Sequence, residues 1–210
     1  MKIGVFDSGI GGLSVARAIE RAFPEARVIY INDAENVPYG TKTPEQIYEL
    51  AHPKIKELYE QQCDLIVLAC NTVTTTSKAK LEEAFPVQFI GLEPMLKPAA
   101  KLTKTGKIIV CATPTTLGTA RYGQLKTEHG AGITIIEPDC SDWASLIEAN
   151  EITEEKIRED IEPGLAAGAD VIVLACTHYH WIEQTIAEIC DGRAIILQPE
   201  QAVIRQITVL

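Results

Sequence analysis

Residues 65–72 read LIVLACNT and residues 171–178 read VIVLACTH. Each is an apolar run that reaches a cysteine, Cys70 or Cys176, and turns at once to small hydrogen-bonding residues. A short, fully apolar run bounded by turn signals reads as a strand buried on both faces of a parallel sheet. Chemistry in open α/β sheets sits beyond the carboxyl ends of such strands. The pair therefore predicts two similar half-structures, each delivering one thiol to an equivalent point.

The rest of the chain has the same rhythm. Strand-like runs fall at 2–7, 27–32, 65–70, 87–92, 107–112, 133–137, 171–176 and 194–197. Helical patterns fall at 12–22, 44–62, 73–84, 94–103, 115–129, 141–149, 153–167, 180–189 and 200–208. Alternation of this kind predicts βαβ units and a mostly parallel sheet. The expected fold is α/β, with two similar lobes and a site in the cleft between them. Residues 1–92 are expected to form the first lobe and 93–189 the second, with about 190–210 returning to complete the first. The segment 92–106, with Pro94, Pro98 and Gly106, is the expected crossover. Thr43-Pro44-Glu45-Gln46 reads as a capping box with proline in the first turn, and Thr153 before Glu154 and Glu155 as a second cap.

Bulk properties exclude several function classes. A net charge of −10, with no Lys/Arg run, argues against a nucleic-acid face. MKIGVFDSG has no apolar core of signal-peptide length, and no stretch approaches a membrane span. A cytosolic protein is expected. Free thiols are then the default for the six cysteines. Cys63 and Cys190, in helical patterns, and Cys111, at a strand end, read as small buried apolar residues.

A thiol between a strand end and a helix N-terminus faces unpaired N–H groups and the positive end of a dipole, which predicts thiolate character for Cys70 and Cys176. The first strand ends in Asp7-Ser8-Gly9-Ile10-Gly11-Gly12. A dinucleotide loop is one reading, with Asp33 on the ribose, but the third glycine position holds Ser14 and Asp7 would face a pyrophosphate. A loop whose backbone N–H groups hold a carboxylate fits better, with Asp7 meeting an ammonium or taking a thiol proton. Asn36-Val37-Pro38-Tyr39-Gly40 reads as a plain turn, and Thr113 and Thr116 as caps. His178 can orient or protonate Cys176. Cys176, His178 and His180 invite a metal reading, yet C-x-H-x-H matches no usual zinc spacing, and none is expected. Glu148 reads as a solvated helix acid.

VFDSGIGGLSV (5–15), NVPYGTKTPEQI (36–47), LACNT (68–72) and LACTHY (174–179), in this order and spacing, resemble the glutamate racemase branch of the aspartate/glutamate racemase family. The resemblance implies a cofactor-independent enzyme that interconverts L- and D-glutamate and supplies D-glutamate for peptidoglycan. It implies Cys70 and Cys176 as the two proton donor/acceptors, Cys70 serving the D enantiomer and Cys176 the L. Asp7 and His178 would keep the thiols ready, assisted by Glu148. Asp7, Ser8, Tyr39, Gly40, Asn71, Thr72, Thr113, Thr116, Thr177 and His178 would hold the substrate. A homodimer is also implied. The chain departs from the family pattern at His180, where proline is usual, and at LQPEQ (197–201). Members run several dozen residues longer, and the difference would fall in the last strand and helix of the first lobe. A racemase of aspartate or another small acid, and a non-catalytic amino-acid-binding relative, are the alternative readings.

Overall fold

Apolar runs and amphipathic stretches resolve into eight strands and ten helices in a computed structural model describing residues 1–210. The first half comprises β1 (Lys2–Asp7), α1 (Leu13–Ala22), β2 (Arg27–Asn32), α2 (Pro44–Glu60), β3 (Leu65–Leu68), α3 (Asn71–Ala84) and β4 (Gln88–Gly91). The second comprises α4 (Leu96–Leu102), β5 (Lys107–Cys111), α5 (Pro114–Leu117), α6 (Ala120–His129), β6 (Thr134–Ile136), α7 (Trp143–Glu148), α8 (Glu154–Ala166), β7 (Val171–Leu174), α9 (Glu183–Cys190) and β8 (Ile195–Leu197), and α10 (Glu200–Thr208) ends the chain. Short 3-10 turns cover Ala34–Asn36, Tyr39–Thr41 and Thr177–Ile182.

Both predicted caps form. Thr43 Oγ1 accepts from the Gln46 N–H at 3.3 Å while Gln46 Oε1 accepts from the Thr43 N–H at 3.0 Å. Thr153 accepts from the Lys156 N–H at 3.2 Å. The pattern expected as one helix over 115–129 is two, because Thr119 starts a new one: its hydroxyl accepts from the Tyr122 N–H and donates to the Thr116 carbonyl. Cys63 lies in the turn after α2, not within a helix.

Two all-parallel sheets result, ordered β2-β1-β3-β4 and β6-β5-β7-β8, so the two halves share one topology. Every residue of β3 and β7 is buried, as their unbroken apolar runs require. Strand alternation sends Phe6, Ile66 and Leu68 toward Ile47, Ile55 and Leu58 of α2, and Ile3, Val5 and Val67 toward Val15 and Ile19 of α1. The second sheet is covered by α7, α8 and α9 on one face and by α4 and α6 on the other. Each fully buried aliphatic side chain contributes about 1.5–3 kcal/mol, so Ile55→Ala alone is expected to cost about 2–5 kcal/mol.

Helix α4 packs on β7 and α6 in the second lobe. The chain returns to the first lobe later than residue 190: β8 pairs with β7 in the second sheet, and only α10 joins the first lobe, placing Val203 and Ile207 beside Ile3 and Ile19. No helix is long and apolar enough to cross a membrane.

Candidate active site

In each sheet the two central strands lead to helices on opposite faces, so their carboxyl ends bound a crevice. Asp7 and Ser8 stand at the end of β1 and Cys70 beyond β3; Thr113 stands beyond β5 and Cys176 beyond β7. The strands end at Leu68 and Leu174, two residues before each cysteine, so Cys70 and Cys176 are extended residues that precede α3 and the 177–182 turn.

The crevices meet in one small cavity. Ser8, Tyr39, Gly40, Cys70, Asn71 and Thr72 line it from the first lobe, and Thr113, Cys176, Thr177 and His178 from the second. Pro38 and Ala144 also line it and had no functional signal in the sequence: one lies in an ordinary turn pattern, the other on an apolar helix stripe. Asp7, Thr116 and Glu148 stand behind the wall.

Burial pushes the Cys70 thiol up to about 12, with the Asp7 charge adding to the effect. The Ser8 hydroxyl, 3.4 Å from Cys70 Sγ, and the Val73 N–H at the start of α3 pull the other way and are outweighed. The expected thiolate bias at Cys70 is therefore reversed: desolvation exceeds the favourable field of one helix end. Asp7 is wholly buried and makes its hydrogen bonds elsewhere. Its Oδ2 accepts from the Gly12 N–H at 2.7 Å and the Gly9 N–H at 3.3 Å, and its Oδ1 accepts from the Thr177 hydroxyl at 3.1 Å. Burial still raises its carboxyl above the ordinary value, against the His178 charge and these bonds. Two loop N–H groups that the sequence suggested for a ligand carboxylate thus serve Asp7 itself.

His178 Nδ1 lies 3.7 Å from Cys176 Sγ, and its Nε2 lies 2.6 Å from Glu148 Oε1. Burial disfavours the imidazolium, but hydrogen bonds to Cys176 and Glu148, with the charges of Cys176 and Asp7, prevail and raise His178 well above 6.5. Glu148 is lowered, first by the His178 hydrogen bond, and it also accepts from the Ile10 N–H at 3.1 Å. It is a bridge between lobes rather than a solvated acid. A Cβ on Gly9 would clash with Glu148 Oε1, and one on Gly11 would meet Thr177 C and His178 N at 2.6 Å. These glycines admit the second lobe, not a pyrophosphate.

Asp33 is likewise occupied, accepting from Tyr39 Oη at 2.7 Å and from Asn36 Nδ2 at 2.9 Å. It holds Tyr39 and Gly40 at the cavity wall. Thr113 caps α5 as read, yet its hydroxyl also meets Thr72 Oγ1 at 3.0 Å, and Thr116 lies 3.3 Å from the same oxygen, so the pair bridges the lobes. Asn71 is 2% exposed, and neither Oδ1 nor Nδ2 has a partner in the protein. A buried unpaired amide on a cavity wall marks a place for a polar ligand group. The first N–H groups of α3, at Asn71 and Thr72, also lack acceptors within their helix. Cys176, His178 and His180 do not converge on one point, because His180 faces Ser14 and Glu200 instead.

The chain matches the Asp/Glu/Hydantoin racemase family over residues 3–207. The glutamate racemase of Herpetosiphon aurantiacus is 38% identical over 208 residues, 97% of this chain and 82% of the relative. The crystal structure of Escherichia coli glutamate racemase in complex with L-glutamate and the activator UDP-MurNAc-ala superposes with a TM-score of 0.91 at 28% identity, covering 100% of this chain and 81% of that one. The Francisella tularensis glutamate racemase in complex with D-glutamate superposes with a TM-score of 0.82 at 27% identity, covering 99% and 80%.

Proposed function

The chain belongs to the Asp/Glu/Hydantoin racemase family, and from that membership we propose that it is a glutamate racemase using two thiols. One observation carries the reading: two cysteines that follow equivalent strands of opposite lobes line a single cavity.

Racemisation removes the α-hydrogen from one face and returns a proton to the other. A thiolate on one face takes the α-proton, leaving the electron pair on the α-carbon. The thiol on the opposite face then gives its proton to that carbon. The two sulfurs exchange protonation states, which readies the site for the reverse direction. Cys70, held protonated by burial, is the donor in the first such turnover, and His178 takes or returns the proton of Cys176. The weakly acidic α-proton requires charge stabilisation in a site that excludes water. The Asn71 amide and the N–H groups that begin α3 and the 177–182 turn bind the two carboxylates. By family resemblance Cys70 serves the D enantiomer and Cys176 the L. The enzyme needs no cofactor, works as a cytoplasmic homodimer, and supplies D-glutamate for peptidoglycan.

Proton NMR of L- and D-glutamate in D₂O tests this. Loss of the α-proton from both enantiomers is expected. Loss from neither, with the protein folded, overturns it, and loss from aspartate alone reassigns the substrate.

A further inference from the structure

The His180 ring reaches from the 177–182 turn across to the other lobe. The side chain is 3% exposed. Nδ1 lies 3.3 Å from the Ser14 hydroxyl in α1 and 3.8 Å from Glu200 Oε1, the first residue of α10. The Ser14 hydroxyl lies 3.1 Å from the Gly11 carbonyl, which can only accept; with its proton there, the Ser14 oxygen accepts from His180. In that arrangement the proton sits on Nδ1. Nε2, buried and without a partner, is then a bare acceptor. Burial and the neighbouring His178 charge lower His180 to about 4, so the ring is neutral and this tautomer is its working form.

We propose that His180 is a positioning residue that clasps the segment carrying Cys176 and His178 to the first-lobe loop carrying Asp7 and Ser8, by donating from Nδ1 to Ser14. Thr177 binds Asp7 at one end of the 177–182 turn, and His180 binds Ser14 further along it. One hydrogen bond is a pivot; two set apart along a turn also fix its rotation, and with it the direction of Cys176 Sγ. Ser14 in turn holds the carbonyl of Gly11, the residue against which Thr177 and His178 pack.

This role rests on the two-thiol racemisation proposed above. His180→Ala is expected to lower kcat on the order of 10- to 100-fold, the scale of a sub-ångström to ångström misplacement, with KM for glutamate changed less. The enantiomers have equal free energy in water, so kcat/KM stays equal in the two directions whatever the variant. Substrate isotope effects carry the direction instead. The α-deuterium effect should rise for the enantiomer whose proton Cys176 takes and fall for the other, whose reprotonation by Cys176 becomes limiting. His180→Asn, whose Nδ2 replaces the Nδ1 donor, should restore kcat, whereas His180→Gln, which reaches only the Nε2 position, should not. Ser14→Ala should match His180→Ala, and the double variant should lose no more than either.

Full kcat in folded His180→Ala, an isotope effect that rises equally for both enantiomers, or rescue by Gln instead of Asn would each overturn the clasp. Nitrogen-15 NMR of the imidazoles in the unaltered protein decides the geometry without turnover: an Nδ1–H tautomer supports it and an Nε2–H tautomer overturns it. Failure of the racemase reading is seen separately, as unaltered protein that exchanges neither enantiomer.

Discussion

The Thr177 hydroxyl donates to Asp7 Oδ1 over 3.1 Å, joining the residue after Cys176 to the last residue of β1, 170 positions away. A carboxylate taken from water needs compensating donors, and Asp7 collects three, one of them from the opposite lobe. The closed cleft is thus written into the hydrogen bonding of its own walls. Thr177→Val is expected to cost about 1–3 kcal/mol by removing one of those donors, read by urea unfolding.

In the proposed two-thiol reaction each cysteine serves one face of the α-carbon. Cys70→Ala and Cys176→Ala are each expected to lower racemisation by about 10²–10⁴-fold or more, the usual worth of a positioned acid or base. Coupled enzymatic assay of D-glutamate from L-glutamate gives the rate; unchanged turnover in either variant would exclude the two-base reaction.

Gly11 and Gly123 should respond oppositely to the same methyl group. At Gly11 it meets second-lobe backbone at 2.6 Å and must part the lobes, so Gly11→Ala is expected to cost about 1–3 kcal/mol and to lower kcat by about 10²-fold. At Gly123, exposed in α6, nothing lies within 4 Å, and Gly123→Ala should add about 0.5–1 kcal/mol with full activity. Paired denaturant melts and rates compare them.

In the proposed site Asn71 trades stability for binding. Asn71→Leu, similar in shape, removes two buried polar atoms that have no protein partner, so the protein without glutamate should gain about 1 kcal/mol. KM for glutamate should rise at least tenfold, because about 1.4 kcal/mol of binding corresponds to that factor. A variant both less stable and unimpaired in KM would refute this role.

The His178–Glu148 pair predicts a pH window. His178 is raised above 6.5, so its stabilisation is fully present below pH 6.5 and is lost as pH rises through the folded value. Glu148 is lowered from 4.5, so its share is present above pH 4.5 and is lost as pH falls through the folded value. Glu148→Gln should therefore destabilise most between about pH 4.5 and 6.5, with the difference from the unaltered protein shrinking on either side. Thermal unfolding across pH 3–10 measures it, and a difference independent of pH would contradict the pairing.

Much of this molecule was legible in one dimension because the signals are local. An unbroken apolar run such as 65–68 buries on both faces wherever it lies, and Thr43-Pro44-Glu45-Gln46 closes its capping box with its own neighbours. The break at Thr119 does not show in the sequence although it too is local, since a threonine inside a helical pattern reveals its cap only when its backbone leaves the helix. By itself the sequence determined two matched half-structures, each with a cysteine at the same place. Tertiary structure alone decided the protonation of Cys70, because desolvation depends on everything packed around the sulfur, including Asp7 from another strand. It alone turned Glu148 from a surface acid into the partner of His178, and His180 from a departure in a motif into a contact with Ser14. Those facts arise from groups far apart along the chain, and burial and close approach exist only once the lobes have met.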